Sequence, residues 1–401
     1  MNNDYIFLLE ENGQSTLLNR KDRSELHFDD ELSDIFYNFF SGKIELNTLK
    51  KLLNTEEINI LKENKIKLES LNPSIIKTNK TNKKRKIFIG ITSKCNMNCK
   101  YCYNAKDDRN ALEFLDLDNI KNIVDDSISI GIYKLHLTGG EPTTHPFFDE
   151  ILSYAYNRGM IIFLNTNGFY SSHQNTNIQK YCSKVNISLD SCDKDIFENN
   201  RRVRDSFNRI VDNITILAKN NVNVNINITD NDSTIEDLFK TVNYINKRFK
   251  VPYIIESVIP TGRAKQKNII FDSNKIEVIC YLNSQQNENN PISISDVNIN
   301  KFRRKKIENC GIGDNMIYIK ENGVAILCPL LEKYILGNIF KDSISDIFEK
   351  ANSIISEINE KRIACKNCEE KEKCCGGCLA RAILKYDCFE DKEMCIAYGI
   401  K

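Results

Sequence analysis

Two periods of apolar residues alternate along the middle of the chain. Residues 87–89 (Ile-Phe-Ile) form a short apolar run, as in a buried strand. Ile120, Ile123, Val124 and Ile128 then recur at helical spacing. The pair of periods returns with a strand over 135–137 and a helical stripe of Phe148, Ile151, Leu152 and Ala155, stopped by Gly159. Residues 161–164 and 185–189 read as strands, followed by a helix through Phe207, Ile210, Val211, Ile214 and Leu217. Val222, Val224, Ile226 and Ile228 alternate with polar residues, giving a strand with one apolar face. A helix through Ile235, Leu238, Phe239, Val242 and Ile245 and a sixth strand over 253–259 complete the series. Six strand–helix steps over residues 87–264 predict an α/β fold with parallel strands and right-handed crossovers, a partial (β/α)6 barrel. In such folds the chemistry sits at the C-terminal ends of the strands.

The flanks follow other patterns. Residues 1–71 read as a small separate unit. An apolar stretch at 5–9, the turn pair Asn12-Gly13 and Leu17-Leu18 predict a hairpin. Three short helices follow: one through Leu32, Ile35, Phe36 and Phe39, one through Leu46, Leu49 and Leu53, and one capped by Thr55. Residues 72–86 read as a linker, with six Lys or Arg in the last ten positions. Residues 265–309 are polar and Asn-rich and read as a connector; residues 310–401 are dominated by cysteine.

Composition narrows the class. With 56 Lys and Arg against 55 Asp and Glu, the chain lacks the basic excess of a nucleic-acid binder. No apolar run is long enough to span a bilayer, and the first residues lack the order of a signal peptide, so a cytoplasmic location is expected. Fifteen cysteines is a high and odd number for such a compartment, where clustered thiols more often bind metal than pair.

Cys95, Cys99 and Cys102 follow the first expected strand with the spacing CxxxCxxC. Three thiolates suit three irons of a [4Fe–4S] cluster and leave the fourth iron free. Zinc usually takes four ligands in two pairs, and no fourth Cys or His lies nearby. The spacing, with Tyr101 at the aromatic position, resembles that of the radical S-adenosylmethionine (radical SAM) superfamily. That resemblance implies a cluster whose free iron chelates SAM and cleaves it reductively to a 5′-deoxyadenosyl radical. It also assigns companions at successive strand ends. Gly139, Gly140, Glu141 and Pro142 resemble the family's GGEP motif, whose backbone approaches the SAM amino group. Asn165 and Asn167 end the third strand, and Ser188 and Asp190 stand where the family places ribose contacts. Arg201, with Arg202 beside it, resembles the arginine aimed at the SAM carboxylate. Gly262 and Arg263 resemble the adenine-side segment.

The C-terminal cysteines have a second pattern. Cys310 and Cys328 flank Gly323 in the form Cx12Gx4C; Cys365, Cys368, Cys374 and Cys378 follow as Cx2Cx5Cx3C, with Cys395 beyond. This resembles the SPASM domain and implies two auxiliary [4Fe–4S] clusters. Carried over residue by residue, one takes Cys365, Cys368, Cys374 and Cys395, and the other Cys310, Cys328 and Cys378. Cys280 or Cys375 completes the second group, or one iron stays open. Cys388 competes with Cys395 for the last place, and a zinc ribbon is the alternative for the whole segment. Cys182 and Cys192 fit no motif and read as packing thiols.

SPASM enzymes mostly act on peptides or proteins. The head resembles the winged-helix-like RiPP recognition element, which grips leader peptides by adding them as a strand. The resemblance therefore implies a maturase of a ribosomal precursor peptide that forms a Cys thioether, supplied with electrons by flavodoxin or ferredoxin. Carbon–carbon or carbon–oxygen crosslinking, sulfatase maturation and a non-catalytic electron carrier are the alternatives. No catalytic general base declares itself; His136 and His145 flank the GGEP segment, and an ordinary loop role is expected of His145.

Overall fold

The computed structural model describes residues 4–10, 13–78, 85–105, 114–265, 272–285, 292 and 310–397. Asn12, the lysine-rich stretch 79–84 and most of the expected connector lie outside the described residues.

The head folds as β1 (Tyr5–Glu10), β2 (Ser15–Asn19), β3 (Glu25–Phe28), α1 (Asp30–Phe40), α2 (Leu46–Leu52), α3 (Thr55–Glu63) and β4 (Ser74–Thr78). The expected hairpin and three helices are present, with two additional strands. The strand order is β3-β2-β1-β4, antiparallel except for the parallel pair of β1 and β4. The expected linker therefore begins as a strand of this sheet. β1 is apolar on both faces because each face has its own partner. Phe7 packs with Leu17, Phe28 and Phe36 under the head's helices, while Ile6 and Leu8 join the core of the barrel.

The centre of the chain runs β5 (Lys86–Thr92), α4 (Leu117–Ser129), β6 (Lys134–Gly139), α5 (Phe148–Asn157), β7 (Ile161–Thr166), α6 (Ser172–Tyr181) and β8 (Cys182–Ser188). It continues with α7 (Lys194–Arg201), α8 (Ser206–Lys219), β9 (Val224–Asp230), α9 (Ile235–Arg248), β10 (Tyr253–Ser257) and α10 (Ser273–Ser284). The six strands β5 to β10 are parallel and lie side by side in chain order. β10 pairs with β9 alone, so the strands make a partial barrel. Helix α10 lies within the stretch expected to be a connector and packs on β10.

The remaining elements are β11 (Met316–Ile319), β12 (Val324–Ile326), β13 (Ile335–Asn338), α11 (Ile344–Lys361), α12 (Lys371–Cys374), α13 (Leu379–Tyr386) and α14 (Lys392–Ala397). β11 pairs in parallel with β5, and β12 and β13 extend the sheet to nine strands. Cys310 and Cys328, which flank β11 and β12 along the chain, are thereby tied to the same sheet as the first three cysteines.

Three aromatic rings stack across one face of the barrel sheet in register. Phe88 lies 4.0 Å from His136, and His136 lies 4.3 Å from Phe163, centroid to centroid. Burial, aided by Lys86, Lys184 and Lys134, holds the His136 imidazole well below its ordinary pKa and so neutral. His145 takes the ordinary role expected of it: its Nε2 contacts the Leu115 carbonyl at 3.0 Å, and Nδ1 accepts from Phe147 N–H at 3.1 Å.

Candidate active site

β5 ends in Thr92, whose hydroxyl accepts the Lys94 N–H at 2.9 Å and turns the chain into the cysteine loop. The loop is held from three sides. From the second strand, Gly140 N–H donates to Thr92 O at 2.7 Å and Glu141 N–H to Lys94 O at 2.8 Å. A Cβ on Gly140 would sit 2.2 Å from Lys94 O, so this approach requires glycine. From the α7 end, Asn98 N–H and Lys100 N–H donate to Arg201 O and Asn200 O. From beyond the sixth strand, Arg263 N–H donates to Cys102 O at 3.0 Å and its Nη1 to Cys99 O at 2.8 Å. Gly262, at φ +55°, allows that contact; a Cβ there would lie 2.3 Å from Cys102 O.

The three thiols stand within electrostatic reach of one another. Although Cys95 keeps an exposed face, enclosure foremost, then Glu141 and the other two cysteines, pushes its thiol up to about 12. Cys102 is raised by burial and by Cys99. Cys95 Sγ accepts from Met97 N–H at 3.4 Å and from Asn167 Nδ2 at 3.8 Å. Cys99 Sγ accepts from Arg201 Nη1 at 3.6 Å.

Glu141 is fully buried and acts on its neighbours. Its Oε1 accepts the Thr143 and Thr166 hydroxyls, each at 2.7 Å, and its Oε2 accepts Asn167 N–H at 2.7 Å. Burial raises its pKa, and these donors pull it down. Asn167 is thereby aimed at Asn96 Oδ1, 2.7 Å away, and at Cys95. Pro142 opens a short 3-10 turn, Pro142–Thr144, and is buried. Asn165 is occupied by Asn186 Nδ2 at 2.7 Å, and Ser188 ends β8.

A buried trio lies on the other side of the loop. Asp190 Oδ2 is 2.6 Å from Arg201 Nη2 and accepts the Tyr101 hydroxyl, while Oδ1 accepts Thr229 N–H at 3.0 Å. Burial disfavours the Arg201 charge, but Asp190, Tyr101 and Cys99 hold its pKa well above the ordinary value. Arg201 Nε is buried and has no hydrogen-bond partner. Of the two adjacent arginines, Arg201 is the buried one; Arg202 is exposed and takes a left-handed conformation at the end of α7.

The C-terminal thiols fall into two sets. Burial, with Cys378 and Cys310 nearby, pushes Cys328 up to about 12. Burial, with Cys395 and Cys365 nearby, pushes Cys374 up to about 11, and Cys395 is raised by burial and by Cys365 and Cys368. Cys388 stands apart and donates its thiol to Glu390 O at 3.1 Å. Cys280 is raised to about 11 by burial, and its charged neighbours are Arg381, Glu393, Glu277 and Asp391. Among the described residues, no three His, Cys, Asp or Glu side chains are arranged to hold a single metal ion.

Two residues that the sequence reading did not single out lie near this chemistry. Tyr103 keeps accessible surface, yet partial enclosure and then Cys102 and Cys328 raise its pKa. Glu256 lies on β10, where Tyr253 and Ile255 are buried and Ile254 and Glu256 are exposed on the opposite face. Its register partner is Thr229, the residue whose N–H is taken by Asp190. Although Glu256 keeps accessible surface on that face, the protein packed around it raises its pKa, and Arg381 opposes that.

Comparison with known proteins gives the same outline. Residues 89–245 match the family model of the radical SAM superfamily, and residues 310–369 match the SPASM iron-sulfur cluster-binding domain. The AdoMet-dependent heme synthase of Methanosarcina barkeri is 26% identical over 341 residues, which is 79% of this chain and 97% of the relative. The antilisterial bacteriocin subtilosin biosynthesis protein AlbA of Bacillus subtilis is 26% identical over 328 residues, 76% of this chain and 69% of that one. The structure of Streptococcus suis SuiB bound to S-adenosylmethionine superposes with a TM-score of 0.63 at 17% identity, covering 98% of this chain and 99% of SuiB. Among the described residues no helix is long and apolar enough to cross a membrane. With both family models matched in order along one chain, and the partial barrel present, the chain is a radical SAM enzyme with a SPASM domain.

Proposed function

We propose that this enzyme is a peptide maturase that crosslinks a ribosomally made precursor, joining a Cys thiol to a carbon of another residue. The observation that carries the reading is the extent of the fold match. The likeness to SuiB runs through the head sheet as well as the barrel and tail, and SuiB has also been solved bound to its precursor peptide SuiA. AlbA, a bacteriocin biosynthesis protein, supports the same class.

The donor chemistry fits the implied cofactors. Cys95, Cys99 and Cys102 would hold the [4Fe–4S] cluster, and the unpartnered Nε of buried Arg201 suits an anionic group such as the SAM carboxylate. When bound, cluster and SAM together supply hydrogen abstraction from the peptide. Glu141 and Asn167 fix the loop around Cys95; Arg201 and Arg263 fix it around Cys99 and Cys102.

Cys365, Cys368, Cys374 and Cys395 would hold one auxiliary cluster, and Cys310, Cys328 and Cys378 the other. In this reading the second has an open position, suited to a substrate thiolate, with Cys280 or Cys375 as the alternative fourth ligand. Residues 1–71 would take the leader peptide beside β3, an edge strand whose Glu25 and His27 are exposed. A donor such as flavodoxin or ferredoxin would supply electrons.

The test is mass spectrometry of a peptide encoded beside the gene, after anaerobic incubation with reconstituted enzyme, SAM and reductant. Loss of a hydrogen pair, with a thiol no longer alkylatable, is the expected result. The same mass loss with the thiol free, or in a peptide lacking Cys, replaces the thioether by a carbon–carbon or carbon–oxygen bond. Replacing Cys95, Cys99 and Cys102 by Ala is expected to abolish deoxyadenosine while iron remains at the C-terminal thiols. Retained SAM cleavage in that variant would falsify the ligand assignment.

A further inference from the structure

The C-terminal segment carries a buried set of charges that the cluster reading leaves unused. Arg381 on α13 donates Nε to Asp391 Oδ1 at 2.8 Å and Nη2 to Asp391 Oδ2 at 2.5 Å. Its Nη1 stands 3.2 Å from Glu393 Oε2. Lys385 Nζ and the Tyr386 hydroxyl donate to Glu393 Oε1 at 2.6 and 2.9 Å. The side chains of Asp391, Glu393 and Lys385 are 0%, 5% and 6% exposed, and that of Arg381 17%. Two cations therefore meet two anions away from water. Such an arrangement is costly to desolvate and adds little stability by itself.

Its outward contacts show what it joins. Asp391 Oδ2 accepts the Cys378 N–H at 2.8 Å. The Asp391 backbone accepts the Cys395 N–H at 3.1 Å. One residue thus touches a cysteine from each C-terminal thiol set. At the other end, Ser257 Oγ donates to Glu393 Oε2 at 3.0 Å. Ser257 is the last residue of β10, next to Glu256. A continuous run of contacts leads from Cys378 through Asp391, Arg381 and Glu393 to the end of the sixth barrel strand.

We propose that Arg381 is a positioning residue: it fixes the Cys310, Cys328 and Cys378 set against the sixth barrel strand and keeps a positive charge beside it. The proposal rests on the reading of those three cysteines as iron ligands. A cluster becomes more negative on reduction, so a nearby guanidinium favours the reduced form and raises the potential. The fork geometry does the positioning, since only a planar guanidinium reaches both Asp391 oxygens and Glu393 together.

The test compares the anaerobically reconstituted full-length enzyme with its Arg381→Gln, Arg381→Lys and Ser257→Ala variants. The readouts are iron content, the electron paramagnetic resonance spectrum after reduction, and a redox titration followed by that spectrum. Arg381→Gln is expected to lower the midpoint potential of one centre and change its line shape, leaving the other signals in place. Arg381→Lys keeps the charge without the fork, so the potential recovers while the line shape stays altered. An Arg381→Gln protein with wild-type potential and line shape overturns the proposal. If that variant loses iron from the centre, Ser257→Ala decides. It cuts the link to β10 with Arg381 intact, and a signal identical to wild type overturns the proposal, whereas a shifted one supports it. Replacing Cys310, Cys328 and Cys378 by Ala separates the two levels. Unchanged iron and spectra in that variant sink the cluster reading itself, independently of Arg381.

Discussion

At the scale of single residues, Glu141 organises the first cysteine loop. It touches no thiol directly, yet its two oxygens collect donors from the second and third strand ends and so aim Asn167 at Cys95. Truncation to Ala strands the Asn167 N–H in a buried site, at a cost of about 1–3 kcal/mol for that group alone. Glu141→Gln keeps one acceptor for Asn167 N–H, and its amide donates to the two hydroxyls, which turn around. It is therefore expected to cost less than Glu141→Ala in anaerobic denaturant unfolding. The two variants share one pH signature. Burial raises the folded pKa of Glu141 above the ordinary carboxylate value, so the folded state binds this proton more tightly than the unfolded state. The stability linked to it is fully present below the unfolded pKa and is lost as pH rises through the folded one. Both variants should lack that fall, and a fall of the same size in either would contradict the assignment.

At the scale of elements, β10 poses the problem of an open edge, because the barrel ends there. Helix α10 answers it with one side chain. Asn283 Oδ1 accepts the Ile255 N–H at 2.7 Å and Asn283 Nδ2 donates to the Ile255 carbonyl at 3.0 Å, as a neighbouring strand would. Tyr253 anchors the same helix through its hydroxyl, 2.6 Å from Leu282 O. Asn283→Ala should destabilise the enzyme by about 1–3 kcal/mol, since two buried backbone groups lose their partner. Hydrogen exchange localised at residues 253–257 would report it; unchanged protection there would show that another group covers the edge. This contact also marks the limit of reading the fold from sequence. The barrel strands were legible because each is a short apolar run or alternation that returns between helical stripes, and the cysteine sets because ligand spacing needs no knowledge of packing. Helix α10 was not, because its Ile276, Ile279 and Leu282 sit among polar residues and Asn283 works on a strand 28 residues earlier. β4 hides in the pair Ile75-Ile76 beside a lysine-rich stretch, and β11 to β13 are only three or four residues each. Glu256 was missed because the run YIIES reads as a uniformly buried strand until the barrel gives it two different faces.

At the scale of the whole molecule, the head is fastened to the barrel by more than a tether. Ile6 and Leu8 of β1 enter the barrel core, a burial worth about 1.5–3 kcal/mol for each side chain. Arg20 is buried with its guanidinium 3.6 Å over the Tyr156 ring, and its Nη1 donates to the Tyr156 carbonyl at 2.5 Å. The Tyr156 hydroxyl returns a bond to Asp4 at 2.8 Å, and Lys21 Nζ reaches the carbonyls of Gln179 and Lys180 at 2.9 and 3.0 Å. These contacts fix β3 at a set distance from the cysteine loops. Under the proposed function, a leader held there would deliver its attached core peptide at a high effective concentration, an advantage that depends on the span staying fixed. Arg20→Ala removes the stack and a buried hydrogen bond, for about 2 kcal/mol, and lets the head shift while the barrel strands and thiols stay as they are. The variant should cleave SAM without peptide at the wild-type rate. Its preference for a leader-bearing precursor over the same core peptide without leader should fall several-fold. Competition between the two peptides, followed by mass spectrometry, measures that preference directly. A wild-type preference in Arg20→Ala would mean that the span is set by the contacts the substitution leaves in place, namely Ile6 and Leu8 of β1, the Tyr156–Asp4 bond and Lys21 on the Gln179 and Lys180 carbonyls.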